Sequence, residues 1–378
     1  MATLGPRDTS LLTLQDGWDA TALKNYELED GTSYLTVASM LNAGLAGLNS
    51  EITNDPLWAG MVSYQEQLEV EYPVGSANAM EEFTEYGRPD PQRADIQGHM
   101  LPLIAYDRSL EWTWNYLRKA RMSQIVADIS SALDNGRTQW RKNILNRALQ
   151  RTDDSGSRKG LGAAGYSPGF ATDAGTTSVD FIPPSFGGVA FTSAHEHYVG
   201  ITGGAWTADV FADIKAELRE YGHEPPYVVL ASTTDESTIR ALTGFTQVDN
   251  LLMNYGQDTD RTTLPVAATG SSSAGGYFIG TIHDSAVRVV YGIPQYYGFG
   301  FKSYGSNNPK NPFRIRVAKG APLGANFRAF PDPRSGGANL PLQNLMMFGE
   351  WGVGVGADRT NGTGRYNNSE TWANGSAS

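Results

Sequence analysis

The apolar residues in the middle of the chain predict one long helix, from Tyr116 to Arg151. They recur four positions apart, which is the pattern of a helix with one buried face. The residues of this stripe are Ile125, Ile129, Leu133, Trp140, Ile144 and Ala148. We expect a break near Arg121. About 30 residues make a rod of roughly 45 Å, and Gly136 predicts a bend or a close contact within it.

A different period precedes this helix and predicts a long β-hairpin. Polar and apolar residues alternate from Tyr64 to Tyr72, as in a strand with one face in water, and Pro73 ends the run. Turn-forming and acidic residues follow, and Gln97 to Tyr106 forms the returning strand. Because an isolated two-stranded hairpin is marginal in water, we expect it to lie on something else, and a neighbouring copy is a natural candidate.

The remaining pattern predicts a small α/β unit and several further strands. A helix is expected from Tyr34 to Asn49. After residue 195 a helix capped by Thr207 and closed by Gly222 alternates with short apolar strands, which indicates an α/β unit. The strands predicted there and beyond are Tyr227–Ala231, Tyr277–Ile282, Ala286–Ile293, Phe313–Val317 and Asn344–Gly354. The chain from Asp358 onward has little left to bury, and the fold class is α+β.

Charge divides unevenly between the hairpin and the helix. The hairpin is acidic and the helix is basic, while the net charge of the 378 residues is −11. Strong overall affinity for nucleic acid is therefore not expected, and such contacts would be local. The hairpin residues singled out as inter-subunit candidates are Glu69, Glu71, Glu81, Glu82, Glu85 and Arg88. The basic residues that would face a neighbour or DNA are Arg137, Arg141, Arg147, Arg151, Arg314 and Arg316.

No motif in the sequence predicts catalysis, a metal site or a cofactor. Residues 165–169 match G-x-S-x-G, but Pro168 lacks the N–H that such a motif supplies to an oxyanion. His195 and His197 alone do not make a zinc site, which needs three or four ligands. There is no cysteine, so disulfides are excluded. We find neither a signal peptide nor an apolar run that could span a membrane.

The order of these elements resembles the major capsid protein of tailed bacteriophages, the Johnson fold that encapsulins share. An irregular arm, an acidic hairpin, a long basic helix, an α/β unit and returning strands follow one another in both. The resemblance implies five parts. They are an N-terminal arm at 1–60, the extended loop at 61–106, a peripheral domain with its spine helix at 107–190, an axial domain at 191–299, and returning strands with a tail at 300–378.

Two features of the family are missing from the sequence. Some members join their shells covalently through a lysine of the extended loop, but no lysine lies between Lys24 and Lys119. Some members begin with a fused helical scaffolding domain, and none is recognisable here. We therefore expect either a separate scaffolding protein or a chain that is already in its mature form, and no cross-link from this hairpin.

The resemblance implies a shell protein without catalytic activity. Hexamers and pentamers of the chain would build an icosahedral head around packaged double-stranded DNA, bound without sequence readout. The expected partners are other copies, a scaffolding protein, a portal and a decoration protein, with assembly in the cytoplasm of a host bacterium and a place in the virion. The alternatives are an encapsulin-like nanocompartment and, from another class, a carbohydrate-binding β-rich protein, suggested by eight Trp and eighteen Tyr.

Overall fold

The computed structural model describes most of the predicted elements and divides the chain into two compact units. The first unit comprises residues 1–54, 103–140 and 317–351, and the second comprises 55–102, 141–316 and 352–378. The residues that the structure describes are 26–74, 95–150, 198–200, 203, 205–247, 276–331, 344–356, 360–362, 364–367 and 375–377.

Helix α1 (Tyr34–Asn54) and three paired strands belong to the first unit, together with the helical residues between Trp114 and Trp140. Strand β13 (Asn344–Val355) lies between β4 (Ile104–Glu111) and β12 (Phe327–Pro331), and both pairings are antiparallel. The residues of β13 up to Trp351 belong to the first unit. Helix α1 (Tyr34–Asn54) buries a face of aliphatic residues. That face comprises Val37, Ala38, Leu41, Leu45, Leu48 and Ile52.

The long predicted helix is broken near Arg121, as expected. Helix α3 spans Trp114–Lys119, Ala120 is extended, and α4 spans Met122–Leu149. The carboxylate of Asp30 caps α4 by accepting the N–H of Met122 at 2.8 Å. This hydrogen bond is the main reason that the pKa of Asp30 is lowered. The cap fixes where α4 begins.

Aromatic side chains fill the core of the first unit. Trp351 packs against Trp140 with ring centroids 5.2 Å apart, against Phe327 at 5.0 Å and against Tyr106 at 4.4 Å. Gly136 meets the same core, because a methyl group added to it would lie 3.2 Å from the Phe327 ring. The predicted special role of Gly136 is therefore a close contact, and α4 continues through it.

The hairpin prediction is correct in its pairing, but each predicted arm is two strands. The first arm divides into β1 (Val62–Gln65) and β2 (Glu69–Val74), and the second into β3 (Asp95–Met100) and β4. Strand β2 pairs with β3, whereas β1 pairs in parallel with β11 (Phe313–Val317). The alternation predicted from Tyr64 to Tyr72 gave no sign that the chain changes its partner strand at residues 66–68. A short helix α2 (Pro56–Ala59), capped by Asp55, leads into β1.

A seven-stranded mixed sheet forms the centre of the second unit. Its order is β5-β14-β10-β6-β9-β8-β7, and α5 (Ala208–Glu220) packs on it through Val210, Phe211, Ile214 and Leu218. A short helix α6 (Glu236–Arg240) follows β6. The strands are β5 (Val199–Gly200), β6 (Tyr227–Ser232), β7 (Thr246–Gln247), β8 (Gly276–Ile282), β9 (Ser285–Val290), β10 (Tyr297–Phe301) and β14 (Gly364–Asn367).

The expectation that little is buried after Asp358 is wrong. Strand β14 pairs with both β10 and β5, and Tyr366 is completely buried beside Trp206. Glycine on β10 makes this packing feasible, because a methyl group on Gly300 would lie 2.4 Å from Ile214 of α5. The tail is therefore part of the second unit's core.

Asp235 provides a pH-dependent contribution to the stability of the second unit. It is buried and accepts the indole N–H of Trp206 at 3.0 Å and the backbone N–H of Tyr296 at 2.8 Å. Burial raises its pKa, and these hydrogen bonds offset only part of the rise. Because the pKa is higher in the folded state, acidification protonates the folded state first. The stabilisation is complete below the unfolded pKa, about 4, and is lost as the pH rises through the folded pKa.

We therefore expect the stability difference between wild type and Asp235→Asn to depend on pH. The free energy of unfolding of the wild type should increase relative to that of the variant as the pH falls from neutral to about 4. Urea midpoints of both proteins, measured across this pH range, check the sign. Asp213→Asn, which removes an exposed carboxylate of α5, is the control. A constant difference between wild type and Asp235→Asn would contradict the expectation.

Candidate assembly surfaces

The base of the acidic hairpin is anchored in the second unit, with its carboxylates outward. Val70 on β2 and its cross-strand partner His99 on β3 are both buried. The Nε2 atom of His99 lies 3.2 Å from the carbonyl oxygen of Val355, within hydrogen-bond distance. Glu69 and Glu71 alternate with Val70 and are exposed. The strand thus presents a negatively charged face that its own chain leaves in solvent.

The rest of the predicted acidic surface belongs to the tip of the hairpin in the sequence. The candidates Glu81, Glu82, Glu85 and Arg88 lie outside the described residues, which stop at Val74 and resume at Asp95. The described part of the hairpin consists of the six pairs from Glu69–Met100 to Val74–Asp95.

Arg314 and Arg316 of β11 bind their own chain. Arg314 donates to Oε1 of Gln65 at 3.1 Å and to the carbonyl of Pro309 at 3.3 Å, and burial lowers its pKa. Arg316 donates to the carbonyl of Leu101 at 3.2 Å. These two guanidinium groups therefore hold the strands on either side of the hairpin base.

Arg137 on α4 forms ion pairs within the first unit. Its guanidinium binds Glu51 of α1 at 2.7 Å and also contacts Asp134. The hydrogen bond to Glu51 is the main reason that the pKa of Arg137 is raised. About a third of the Arg137 side chain is exposed (29%), so water screens the pair and its contribution is small, about 0 to 1 kcal/mol.

The other basic candidates of α4 differ in exposure. Arg147 is buried at 4% exposure, and Arg141 is half-buried. Arg151 lies outside the described residues. The predicted basic set therefore does not form one exposed stripe: Arg137 belongs to the first unit, while Arg147, Arg314 and Arg316 are held by the second.

A groove of about 450 Å³ in the first unit was not predicted from the sequence. At one side Asp128 of α4 accepts the indole N–H of Trp112 at 2.9 Å and the hydroxyl of Tyr116 at 3.4 Å. Burial, followed by the charge of Asp128, raises the pKa of Tyr116. The lining residues are Arg108, Ser109, Leu110, Glu111, Trp112, Thr113, Tyr116, Asp128 and Ser131. On another part of the lining, the hydroxyl of Ser109 donates to the carboxylate of Glu111 at 3.0 Å.

The aromatic residues favour structural roles over sugar binding. Every tryptophan whose side chain the structure describes is buried: Trp58, Trp112, Trp140, Trp206 and Trp351. In the aromatic cluster at 296–301, Phe299 and Phe301 are core residues of β10. The carbohydrate-binding alternative rested on the eight Trp and eighteen Tyr of the chain; the five tryptophans named here do not form an exposed stacking platform.

The remaining sequence motifs carry no site in the described part of the chain. Residues 165–169 and the pair His195 and His197 lie outside it. Among the described residues, no group of three or more His, Asp or Glu side chains could hold a metal ion. No helix among them is long and apolar enough to cross a membrane.

Comparison with known proteins places the fold. No protein-family profile and no curated protein matches the chain. Among solved structures, the capsid of Ralstonia phage GP4 has a TM-score of 0.45 at 8% identity, covering 80% of this chain and 87% of that one. A structure from Mycobacterium phage Patience has a TM-score of 0.58 at 18% identity, covering 92% of this chain and 91% of that one. The chain has the fold of a phage major capsid protein.

Within this capsid fold, two of the predicted elements have the expected secondary structure. The hairpin β2–β3 and the helix α4 are both present. A virus-like particle from Pyrococcus furiosus also matches, with a TM-score of 0.41 at 9% identity, covering 86% of this chain and 96% of that one.

Proposed function

We propose that the chain is a capsid shell protein whose copies associate as hexamers and pentamers into an icosahedral phage head around double-stranded DNA. The observation that carries this proposal is the likeness of fold to a phage structure over 92% of the chain. The exposed acidic face of an anchored hairpin supports it, because such a face suits contact with another copy. The proposal needs no catalytic residue.

The domain roles follow from the same proposal. Residues 61–106 would act as the extended loop that reaches a neighbouring copy, and α4 would be the spine of a peripheral domain at 107–190. Residues 191–299 would form the axial domain at the capsomer centre, with 1–60 as an arm and 300–378 as returning strands and tail. In this assignment the tail also completes the axial sheet, since β14 lies between β5 and β10.

The proposed partners are other copies, a scaffolding protein, a portal, a decoration protein and DNA. Contact with DNA would use phosphates without base readout. The proposed location is the virion, after assembly in the host cytoplasm. Arg147 is buried, and Arg314 and Arg316 donate hydrogen bonds within the second unit. Contact with DNA phosphates would therefore use other basic residues, whose side chains are exposed.

Particle formation tests the proposed function. We expect the purified protein, alone or with a scaffolding protein, to elute from a sizing column as oligomers and to form rings or icosahedral shells under negative-stain microscopy. A strictly monomeric protein under all these conditions would overturn the proposal. Shells that carry an enzyme cargo and no DNA would favour the nanocompartment alternative.

We expect the double variant Glu69→Gln and Glu71→Gln to assemble less readily. Each exposed charge contributes about 0 to 1 kcal/mol to the contact between copies. Removing two of them should raise the critical concentration for assembly roughly fivefold. It should also weaken the dependence of assembly on salt. Light scattering over a concentration series measures both effects.

Asp213→Asn, which removes one exposed carboxylate outside the hairpin, is the control. Unchanged assembly of the double variant would reject the role of the hairpin charges. Formation of shells by all three proteins would leave the shell function itself intact.

A further inference from the structure

A segment of small residues, 375–377, lies against the end of α4. The N–H of Gly375 donates to the carbonyl of Leu149, the last residue of the helix, at 3.2 Å. The N–H of Ala377 donates to the side-chain Oδ1 of Asn146 at 2.7 Å. The last four carbonyl groups of a helix have no partner inside it, so this segment supplies a cap from 231 positions further along the chain.

The fit of the segment depends on small side chains at its first and third positions. A methyl group on Gly375 would lie 3.1 Å from the ring of Tyr297 and 3.3 Å from Leu149, which is tighter than ordinary contact. Ala377 is 2% exposed, so a larger side chain there would have to displace its neighbours. Ser376, between them, is exposed. The surface thus accepts a segment with small side chains at its first and third positions and any side chain at its second.

The same surface also adjoins the residue that precedes β5. Tyr297, which contacts Gly375, also packs against the buried Tyr198. Tyr198 immediately precedes β5, and Leu149 ends α4. Tyr297 therefore lies between Tyr198 and the 375–377 segment.

We propose that residues 375–377 are a latch and that Asn146, Leu149 and Tyr297 form its binding site. The site takes an extended peptide with small residues at the first and third positions. The seated latch caps the end of α4, and its release loosens that end while the seven-stranded sheet stays folded. The proposal is independent of the shell function, because every contact lies within the second unit.

Hydrogen exchange of the full-length protein tests the latch, with a matched pair of variants. Gly375→Val should raise the exchange rates of the backbone amides at 145–149 about three- to tenfold, the loss expected for roughly one hydrogen bond. Ser376→Val makes a similar change at the exposed position and should leave those rates unchanged. Amides of β6 and β9 should keep wild-type rates in both. Equal effects of the two variants would overturn the proposal.

Asn146→Ala supplies an independent test if the valine variant does not fold. Alanine favours the helix, so faster exchange at 145–149 in this variant must come from the lost contact with Ala377. The double variant Asn146→Ala and Gly375→Val should exchange no faster than Gly375→Val alone, because both changes release one latch. Unchanged exchange in Asn146→Ala, or additive effects in the double variant, would overturn the proposal.

Discussion

Replacement of Trp351 by alanine is expected to lower the free energy of unfolding of the first unit by about 3 to 5 kcal/mol. Its side chain is 2% exposed and touches three other rings, those of Trp140, Phe327 and Tyr106. The backbone of Gly349 is also packed against the indole, because a methyl group there would lie 2.4 Å from it. Few neighbours can move to fill the space, so a cavity remains. The free-energy cost of the cavity is added to that of the lost apolar burial.

Hydrogen exchange of the β12 and β13 amides in free subunits measures this loss in the first unit. Leu323→Ala is the control, since Leu323 is 52% exposed and its loss should change stability by less than about 0.5 kcal/mol. If Trp351→Ala and Leu323→Ala lower protection equally, the assignment of Trp351 to the centre of the core is wrong.

Asn361→Asp is expected to destabilise the second unit by about 3 to 5 kcal/mol, the cost of an uncompensated buried charge. Asn361 is completely buried. Its side-chain amide donates to the carbonyls of Lys302 at 2.6 Å and Lys310 at 2.8 Å, while its oxygen accepts the N–H of Lys302 at 2.8 Å. An aspartate would direct a carboxylate oxygen at two carbonyl oxygens and lose both donors.

Urea denaturation of the free subunits at several pH values checks this expectation. The defect of Asn361→Asp should shrink on acidification, because burial raises the folded pKa of the new carboxyl and its protonation removes the charge. Asn361→Ala should cost less than the aspartate at neutral pH, since it buries no charge. Asn326→Asp is the control, because Asn326 accepts a hydrogen bond from Arg328 that an aspartate can also accept. A defect that does not change with pH would contradict the argument.

Sequence periodicity predicted the elements that are built from long, regular patterns. Ile125, Ile129 and Trp140 are buried along α4, and the alternation of Phe313, Ile315 and Val317 gave the bounds of β11. These elements could be recognised because burial on one face imposes a repeat that local sequence must follow. The fold class followed from their order.

Elements whose burial is imposed by distant residues could not be predicted in this way. Strand β14 contains only Gly364, Arg365, Tyr366 and Asn367, and nothing local distinguishes it from a loop. The ends of β1 and β2 were missed because alternation continues while the partner strand changes. The groove at Asp128 depends on the break between α3 and α4, which brings Trp112 and Tyr116 to the same carboxylate.

The candidate surfaces were predicted in part. The exposure of Glu69 and Glu71 followed from alternation on β2. The burial of Arg147 had a signal in the sequence, since the basic and apolar residues of α4 overlap on one arc of the helix. How deeply Arg147 is buried depends on the packing of the second unit, and the pattern of residues along the helix does not predict that packing.

The position of β14 has a consequence for synthesis on the ribosome. Strand β5 has its partner in β14, at Tyr366 and Asn367, and β10 also needs β14 on one side. At a translation rate of about 5 to 20 residues per second, Tyr366 and Asn367 are synthesised roughly 10 to 30 s after Val199. From the synthesis of β10 until that of β14, the nascent sheet has an open edge at β10, and such edges pair readily with other chains. Completion of this sheet must therefore follow the emergence of β14 from the ribosome exit tunnel.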